Sequence, residues 1–307
     1  MASPATYKVL AIMPVLTLLF RLSSSACSFT VHNNCPHTIW PGTLAGAGTP
    51  ELPTTGFRLD AGQTARIRAA PGWSGRIWAR TGCQFDDIGA GTCLTGDCGG
   101  RMECLGAGAL PPVTLFEITL GDGLGDDFYD VSIVDGYNLP VVAAPRVLHG
   151  ACNATGCLAD LNTGCPKELQ VEGGSGGGGG VVACKSACEA FGLDEYCCSG
   201  EFASANTCKP SPYSSLFKAA CPRAYSYAFD DGSSTFTCKA YDYTIIFCPD
   251  INRLRSSHNY FTGQPDQGGK GGGGGDEAEE PDENTPSSCA SNLPSHLFFL
   301  PLFFLLF

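Results

Sequence analysis

Four stretches in the first half of the chain alternate apolar and polar side chains: "ARIRA" at Ala65–Ala69, "GRIWART" at Gly75–Thr81, "VTLFEITL" at Val113–Leu120 and "FYDVSIV" at Phe128–Val134. A period of two sends successive side chains to opposite faces, so each stretch predicts a half-buried β-strand. Pro-Gly, Pro-Pro and Asp-Gly turns punctuate the runs. Short strands between such turns predict a mainly β fold, a sandwich or flattened barrel. Beyond Pro145 the texture changes to cysteine, glycine, asparagine and proline, with two brief helical candidates, "KSACEAF" and "SSLFKAA".

Composition supplies what periodicity cannot. The chain carries 18 cysteines but only 5 histidines in 307 residues, and the cysteines are dispersed rather than grouped in metal-binding pairs. No metal and no cofactor is expected. Lys8 followed by the apolar run Val9–Phe20 and the small residues before Cys27 reads as a secretory signal over residues 1–26, with cleavage after Ala26 or after Cys27. An oxidising compartment makes structural disulfides the expected fate of the cysteines. Ten of them lie between Cys152 and Cys238. A segment so dense in cysteine and so poor in apolar runs predicts a loop-rich satellite held by crosslinks.

The C-terminal end carries a second address. "SSCASNLPSHLFFLPLFFLLF" places small residues, a polar spacer and an uncharged apolar tail in order, as a glycosylphosphatidylinositol (GPI) signal does. Ser288 is the expected attachment residue, with 289–307 removed. Residues 261–288, rich in glycine and acid, have nothing apolar to bury and read as a flexible tether. Seven of the 30 acids fall between Asp266 and Glu283, against the single base Lys270. The remainder is still acidic, which excludes nucleic acid as a partner. The expected organisation is therefore a body over 27–260, made of a β core at about 28–150 plus 230–250 and a disulfide-rich region at about 151–229.

Motifs along this body resemble those of the thaumatin-like proteins, the plant pathogenesis-related group that includes osmotin. They run in order: "FTVHNNCPHTIWPG" from Phe29, "RIWARTGCQFD" from Arg76, "GAGTCLTGDCGGRMEC" from Gly89, "PPVTLFEITL" from Pro111, "DFYDVSIVDGYNLP" from Asp127, "YCCSG" from Tyr196, "CPRAYSYAFDDGSSTFTC" from Cys221 and "YTIIFCP" from Tyr243. The resemblance implies a flattened β-sandwich with disulfide-rich satellites. It also implies eight pairs: Cys35–Cys248, Cys83–Cys93, Cys98–Cys104, Cys152–Cys238, Cys157–Cys221, Cys165–Cys184, Cys188–Cys197 and Cys198–Cys208. Spacing alone does not assign them. Cys27 and Cys289 fall outside this framework, at the two processing junctions.

The resemblance further implies an acidic cleft at Arg76, Glu117, Asp130, Asp135 and Asp231. Clustered carboxylates raise one another's pKa, so one can hold a proton while another stays ionised, the division that glycoside hydrolysis requires. Glu117 is the candidate acid, since alternation sets it beside Val113 and Leu115. Asp130, Asp135 or Asp231 would act as base or nucleophile, with Arg76 holding the cluster. Asp130 and Asp135 are an odd number apart, so they share a face only if alternation ends in the Asp135-Gly136 turn. The same cleft, with Phe128, Tyr129 and Tyr137 nearby, would equally bind β-1,3-glucan without cleaving it. A non-catalytic wall or signalling module is the third reading. The chain is expected to be a monomer on the outer face of the plasma membrane or in the apoplast, with a defence-type antifungal role.

Two features have plain explanations. Asn153 in "NAT" is a candidate N-glycan acceptor. The glycine run "GGSGGGGG" from Gly173 lacks the Lys-Ser/Thr ending of a phosphate loop and reads as a lengthened surface loop.

Overall fold

The alternating stretches form strands, and the strands form two sheets. The computed structural model describes residues 27–122, 125–148, 150–174 and 179–250. One sheet contains β1 (Cys27–Asn33), β3 (Thr64–Ala69), β9 (Val141–Arg146), β10 (Thr155–Cys157) and β14 (Asp242–Phe247), in the order β10-β9-β14-β1-β3. The other contains β2 (Trp40–Ala45), β4 (Ser74–Arg80), β7 (Leu115–Thr119), β8 (Asp127–Ser132) and β13 (Phe236–Cys238), in the order β13-β8-β7-β4-β2. Two short ribbons, β5 (Gln84–Phe85) with β6 (Gly91–Thr92) and β11 (Gln170–Glu172) with β12 (Val181–Cys184), complete the strands.

The sheets pack through the side chains that each strand's alternation turns inward. Phe116 and Tyr129 of one sheet meet Tyr243 of the other at ring-centroid distances of 6.2 and 5.1 Å. Phe29 packs on Trp73 at 5.3 Å. All five rings are buried. Such tilted pairs contribute about 0.5–1.5 kcal/mol each beyond the area they bury. The first and last strands pair in parallel, Ser28 against Asp242 through Asn33 against Phe247. The Cys35–Cys248 disulfide lies just past the end of that pairing.

Eight disulfides have both ends within the described residues, and their pairs are those the family resemblance implies. Five of them fasten residues of the region from Cys152 to Cys238. That region holds helices α1 (Ala187–Phe191), α2 (Asp194–Cys197), α3 (Pro212–Ala220) and α4 (Asp231–Ser234). Ser186 caps α1 and Ser211 caps α3 by accepting from the backbone N–H three residues on. The region has little interior of its own. Its buried apolar residues, Leu161, Leu169 and Phe217 among them, join the same cluster as the sandwich core.

Cys27 opens β1 opposite Ala69 and is fully buried, so it belongs to the folded body. The signal over 1–26, the tether, Ser288 and the tail lie outside the described residues. The ends of the glycine run meet where Gly173 N–H donates to the Gly180 carbonyl at 2.9 Å, closing the β11–β12 ribbon. Asn153 is exposed, and its carbonyl accepts from the Tyr129 hydroxyl at 2.5 Å.

Candidate functional site: an acidic cleft

Three neighbouring strands carry one row of charge. Arg76 of β4 is registered against Glu117 of β7, and Glu117 against Asp130 of β8. Directly opposed side chains on one face of an antiparallel pair stand about 4.5–5.5 Å apart at Cβ. Phe116 and Ile118, on either side of Glu117, point into the core, so Glu117 must point the other way. The row therefore lies on the outer face of the sheet. Arg76 Nη2 approaches Glu117 Oε1 to 3.3 Å.

Asp135 reaches the same place by leaving the strand. β8 ends at Ser132, and a turn follows in which Gly136 N–H donates to the Ile133 carbonyl and Gly136 adopts φ +86°. A side chain at Gly136 would be strained by that φ and would also meet Pro112 and the Cys184 carbonyl. The break in alternation resolves the odd spacing between Asp130 and Asp135. Asp231 comes from further away, at the start of α4, and accepts from the Tyr225 hydroxyl at 2.7 Å. Tyr225 is held in turn by its backbone, whose N–H donates to the Val131 carbonyl and whose carbonyl accepts from Ile133 N–H, both at 2.9 Å.

All five charged residues line one cleft of about 680 Å³. Leu44 to Ala47 form its opposite rim, and Gly75 lets that rim close in, because a Cβ there would collide with the Leu44 carbonyl and the Trp73 ring. Burial raises the Asp130 carboxyl to about 8, helped by Glu117 and Asp231 and opposed by Arg76. Its Oδ1 is out of reach of water and has no hydrogen-bond partner among the described residues. Glu117 is also raised, chiefly by burial, with Arg76 opposing and Asp135 adding to the shift. Asp130 is thus the carboxyl best able to keep a proton at neutral pH. The alternation that favours Glu117 as the acid shows its strand neighbours but not that Arg76, expected to hold the whole cluster, stands directly against Glu117.

The aromatic side chains assigned to the cleft do not line it. Tyr129 and Tyr137 point into the core, donating to the carbonyls of Asn153 and Ala159. Phe128 is exposed but absent from the cleft wall. The aromatic group in the cleft is Tyr225, which the periodicity of its loop does not single out. Burial and the neighbouring Asp231 push its hydroxyl up to about 12, so it stays a hydrogen-bond donor. Among the described residues, no group of three or more His, Cys, Asp or Glu is placed to hold a metal ion.

The family model described as "Thaumatin family" matches residues 33–249. The chain belongs to the thaumatin family. A thaumatin-like protein 1 of Arabidopsis thaliana is 55% identical over 243 residues, covering 76% of this chain and 91% of its own. A pathogenesis-related thaumatin-like protein 3.5 of Cryptomeria japonica is 52% identical, covering 78% and 97%. Pathogenesis-related protein 5 of Arabidopsis thaliana is 54% identical, covering 76% and 97%. Among solved structures, a laminaripentaose-producing β-1,3-glucanase in complex with laminaritetraose aligns at a TM-score of 0.51. It covers 73% of this chain and 99% of its own at 13% identity, a likeness of fold alone.

Proposed function

We propose that this thaumatin-family protein recognises β-1,3-glucan in its acidic cleft, in a defence-type antifungal role. The observation that carries the reading is the row of Arg76, Glu117 and Asp130 along one cleft, with Asp135 and Asp231 lining the same space. A sugar hydroxyl is both donor and acceptor, so it satisfies a protonated carboxyl, an ionised one and a guanidinium alike. The Tyr225 ring adds an apolar face for stacking. A glucanase of similar fold holds a β-1,3-glucan fragment, which supports the choice of polymer.

Slow endo-hydrolysis is the second reading, favoured by the coexistence of a raised carboxyl at Asp130 and ionisable neighbours. In that reading Asp130 donates its proton to the glycosidic oxygen, and Asp135 or Asp231 acts from the cleft wall as base or nucleophile. Hydrolysis with Glu117 as the acid is disfavoured, because Glu117 stands beside Asp130 in the row and Arg76 ties it into an ion pair.

The test compares the unmodified protein with Asp130→Asn and Glu117→Gln, measuring co-sedimentation with insoluble β-1,3-glucan and reducing ends released from a soluble one. Binding should occur without release and should weaken in both variants. Release that disappears in Asp130→Asn would make the protein an enzyme. Absence of binding by the unmodified protein would sink the reading.

The GPI anchor at Ser288, the outer plasma-membrane location and the monomeric state belong to the same proposal. Phosphatidylinositol-specific phospholipase should release the protein from intact membranes, and the released form should sediment as one chain. Asn153, exposed beside the Tyr129 contact, is the proposed glycan site, and peptide N-glycosidase should lower the mass.

A further inference from the structure

The cleft does not stop at Asp135. A second pocket of about 260 Å³ opens on the other side of the Val134–Asp135 turn, and Val134, Asp135 and Ala228 line both spaces. Its remaining wall comes from Pro111, ahead of β7, and from the cysteine-rich region: Ser186, Glu189 on α1, Tyr196 on α2 and the Cys188–Cys197 disulfide that joins the two helices. Resting on the glucan reading above, we propose that this pocket is an extension of the cleft in which Glu189 and Tyr196 hold one further sugar unit.

Glu189 sits where local structure would normally use it. Ser186 and Glu189 have the spacing of a capping box, in which the glutamate returns to the backbone N–H of the cap residue. Only half of that arrangement forms. Ser186 Oγ accepts from Glu189 N–H at 3.2 Å, yet the Glu189 side chain makes no hydrogen bond among the described residues. Its Oε2 is withdrawn from water with no partner. A buried polar atom left in that state costs about 1–3 kcal/mol, which a ligand hydroxyl in the pocket relieves when the carboxyl turns toward it. Burial and the nearby Asp135 raise the carboxyl to about 7 against the pull of Lys185, so it can donate as well as accept.

The rest of the pocket suits a sugar ring. Tyr196 offers an aromatic surface, fixed by contacts with Phe191 at 5.7 Å and Tyr213 at 6.2 Å. Val134, Ala228 and Pro111 are apolar. The volume falls just short of the roughly 300–1,000 Å³ of pockets for drug-sized ligands, which leaves room for one ring and not a chain. The disulfide keeps both helices in place before binding, so little ordering opposes it.

The experiment is calorimetric titration of the full protein with linear β-1,3-gluco-oligosaccharides of two to eight units, comparing the unmodified chain, Glu189→Gln and Glu189→Ala. Affinity of the unmodified protein should step upward once an oligomer is long enough to pass the Asp135 turn. Glu189→Ala should remove that step, a loss of about tenfold for the long oligomers, with the short ones unchanged. Glu189→Gln should lose less, since it keeps the shape and a donor. Unchanged binding of short oligomers shows in the same titration that the variant is folded. Equal loss at every length would make Glu189 a structural residue and overturn the extension, as would no loss at any length. Binding by the unmodified protein without a length-dependent step overturns the extension and leaves the cleft reading standing. No binding at all overturns both.

Discussion

The β-sandwich and the cysteine-rich region reach order by different means. In the sandwich, Phe29, Trp73, Phe116, Tyr129 and Tyr243 interlock between two five-stranded sheets, and the disulfides sit at strand ends and loops. In the region from Cys152 to Cys238, helices of four to nine residues bury few apolar groups, Ala187 and Phe217, and five disulfides fasten the segments that carry them. Helices that short are marginal in isolation. Where the apolar run is too short to form a core, covalent closure restricts the unfolded chain instead. The cleft lies along the seam. Its floor is set by strand register, and part of its wall by the crosslinked region.

That contrast is best broken at its strongest point. Phe116→Ala removes a fully buried ring between the sheets and should lower stability by about 3–5 kcal/mol, read from the denaturant midpoint. A loss under about 1 kcal/mol would mean the sheets do not depend on interdigitation.

Disulfide removal sharpens the other side. Cys157→Ala with Cys221→Ala opens a closure of sequence separation 64, worth about 4 kcal/mol by loop entropy. Cys188→Ala with Cys197→Ala opens one of separation 9 and should cost less than about 3 kcal/mol. Equal losses would point to packing of the sulfurs, not loop closure, as the source of rigidity.

The seam has its own pH signature. Asp130 rises from 3.8 to about 8 on folding, so between those values the folded state binds more protons than the unfolded one, and stability falls as pH rises. Glu117, also raised, adds a slope of the same sign. Asp130→Asn should gain about 1–3 kcal/mol at pH 9, from removing an unsatisfied buried charge, and nearly nothing at pH 4. Thermal unfolding at the two pH values measures it, and a gain of equal size at both would dissociate the effect from ionisation.

The smallest effect is expected at the surface. Arg58 and Asp60 pair at 2.7 Å with both side chains largely in water, so Arg58→Ala should leave the unfolding midpoint within experimental error.

The strands legible from alternation, β3, β4, β7 and β8, each turn one face into the core between the sheets; the other face carries the polar positions, although on β4 it also buries Trp78 and Arg80 against the Cys98–Cys104 loop. β9 and β14 are buried nearly throughout, and their sequences "VVAAPR" and "DYTIIF" show no clean period for that reason. The helical candidates became α1 and α3, with boundaries set by Ser186 and by Ser211 before Pro212. Within the site, the five charged positions were legible through family resemblance, but Tyr225, Glu189 and the proton-holding role of Asp130 were not. Nothing local distinguishes Tyr225 from Tyr129 or Tyr137; only the β8 edge turns one toward the cleft and the others inward.

By itself, the sequence determined which segments can be strands, that the cysteines would be oxidised, and which charged side chains were available. Those follow from local periodicity and chemistry. Tertiary structure decided the rest: that Arg76, Glu117 and Asp130 stand in one row, that Asp135 escapes the strand at Gly136, and that Asp130 keeps its proton more readily than Glu117. Register and desolvation are set by neighbours distant along the chain, and no window of sequence contains them.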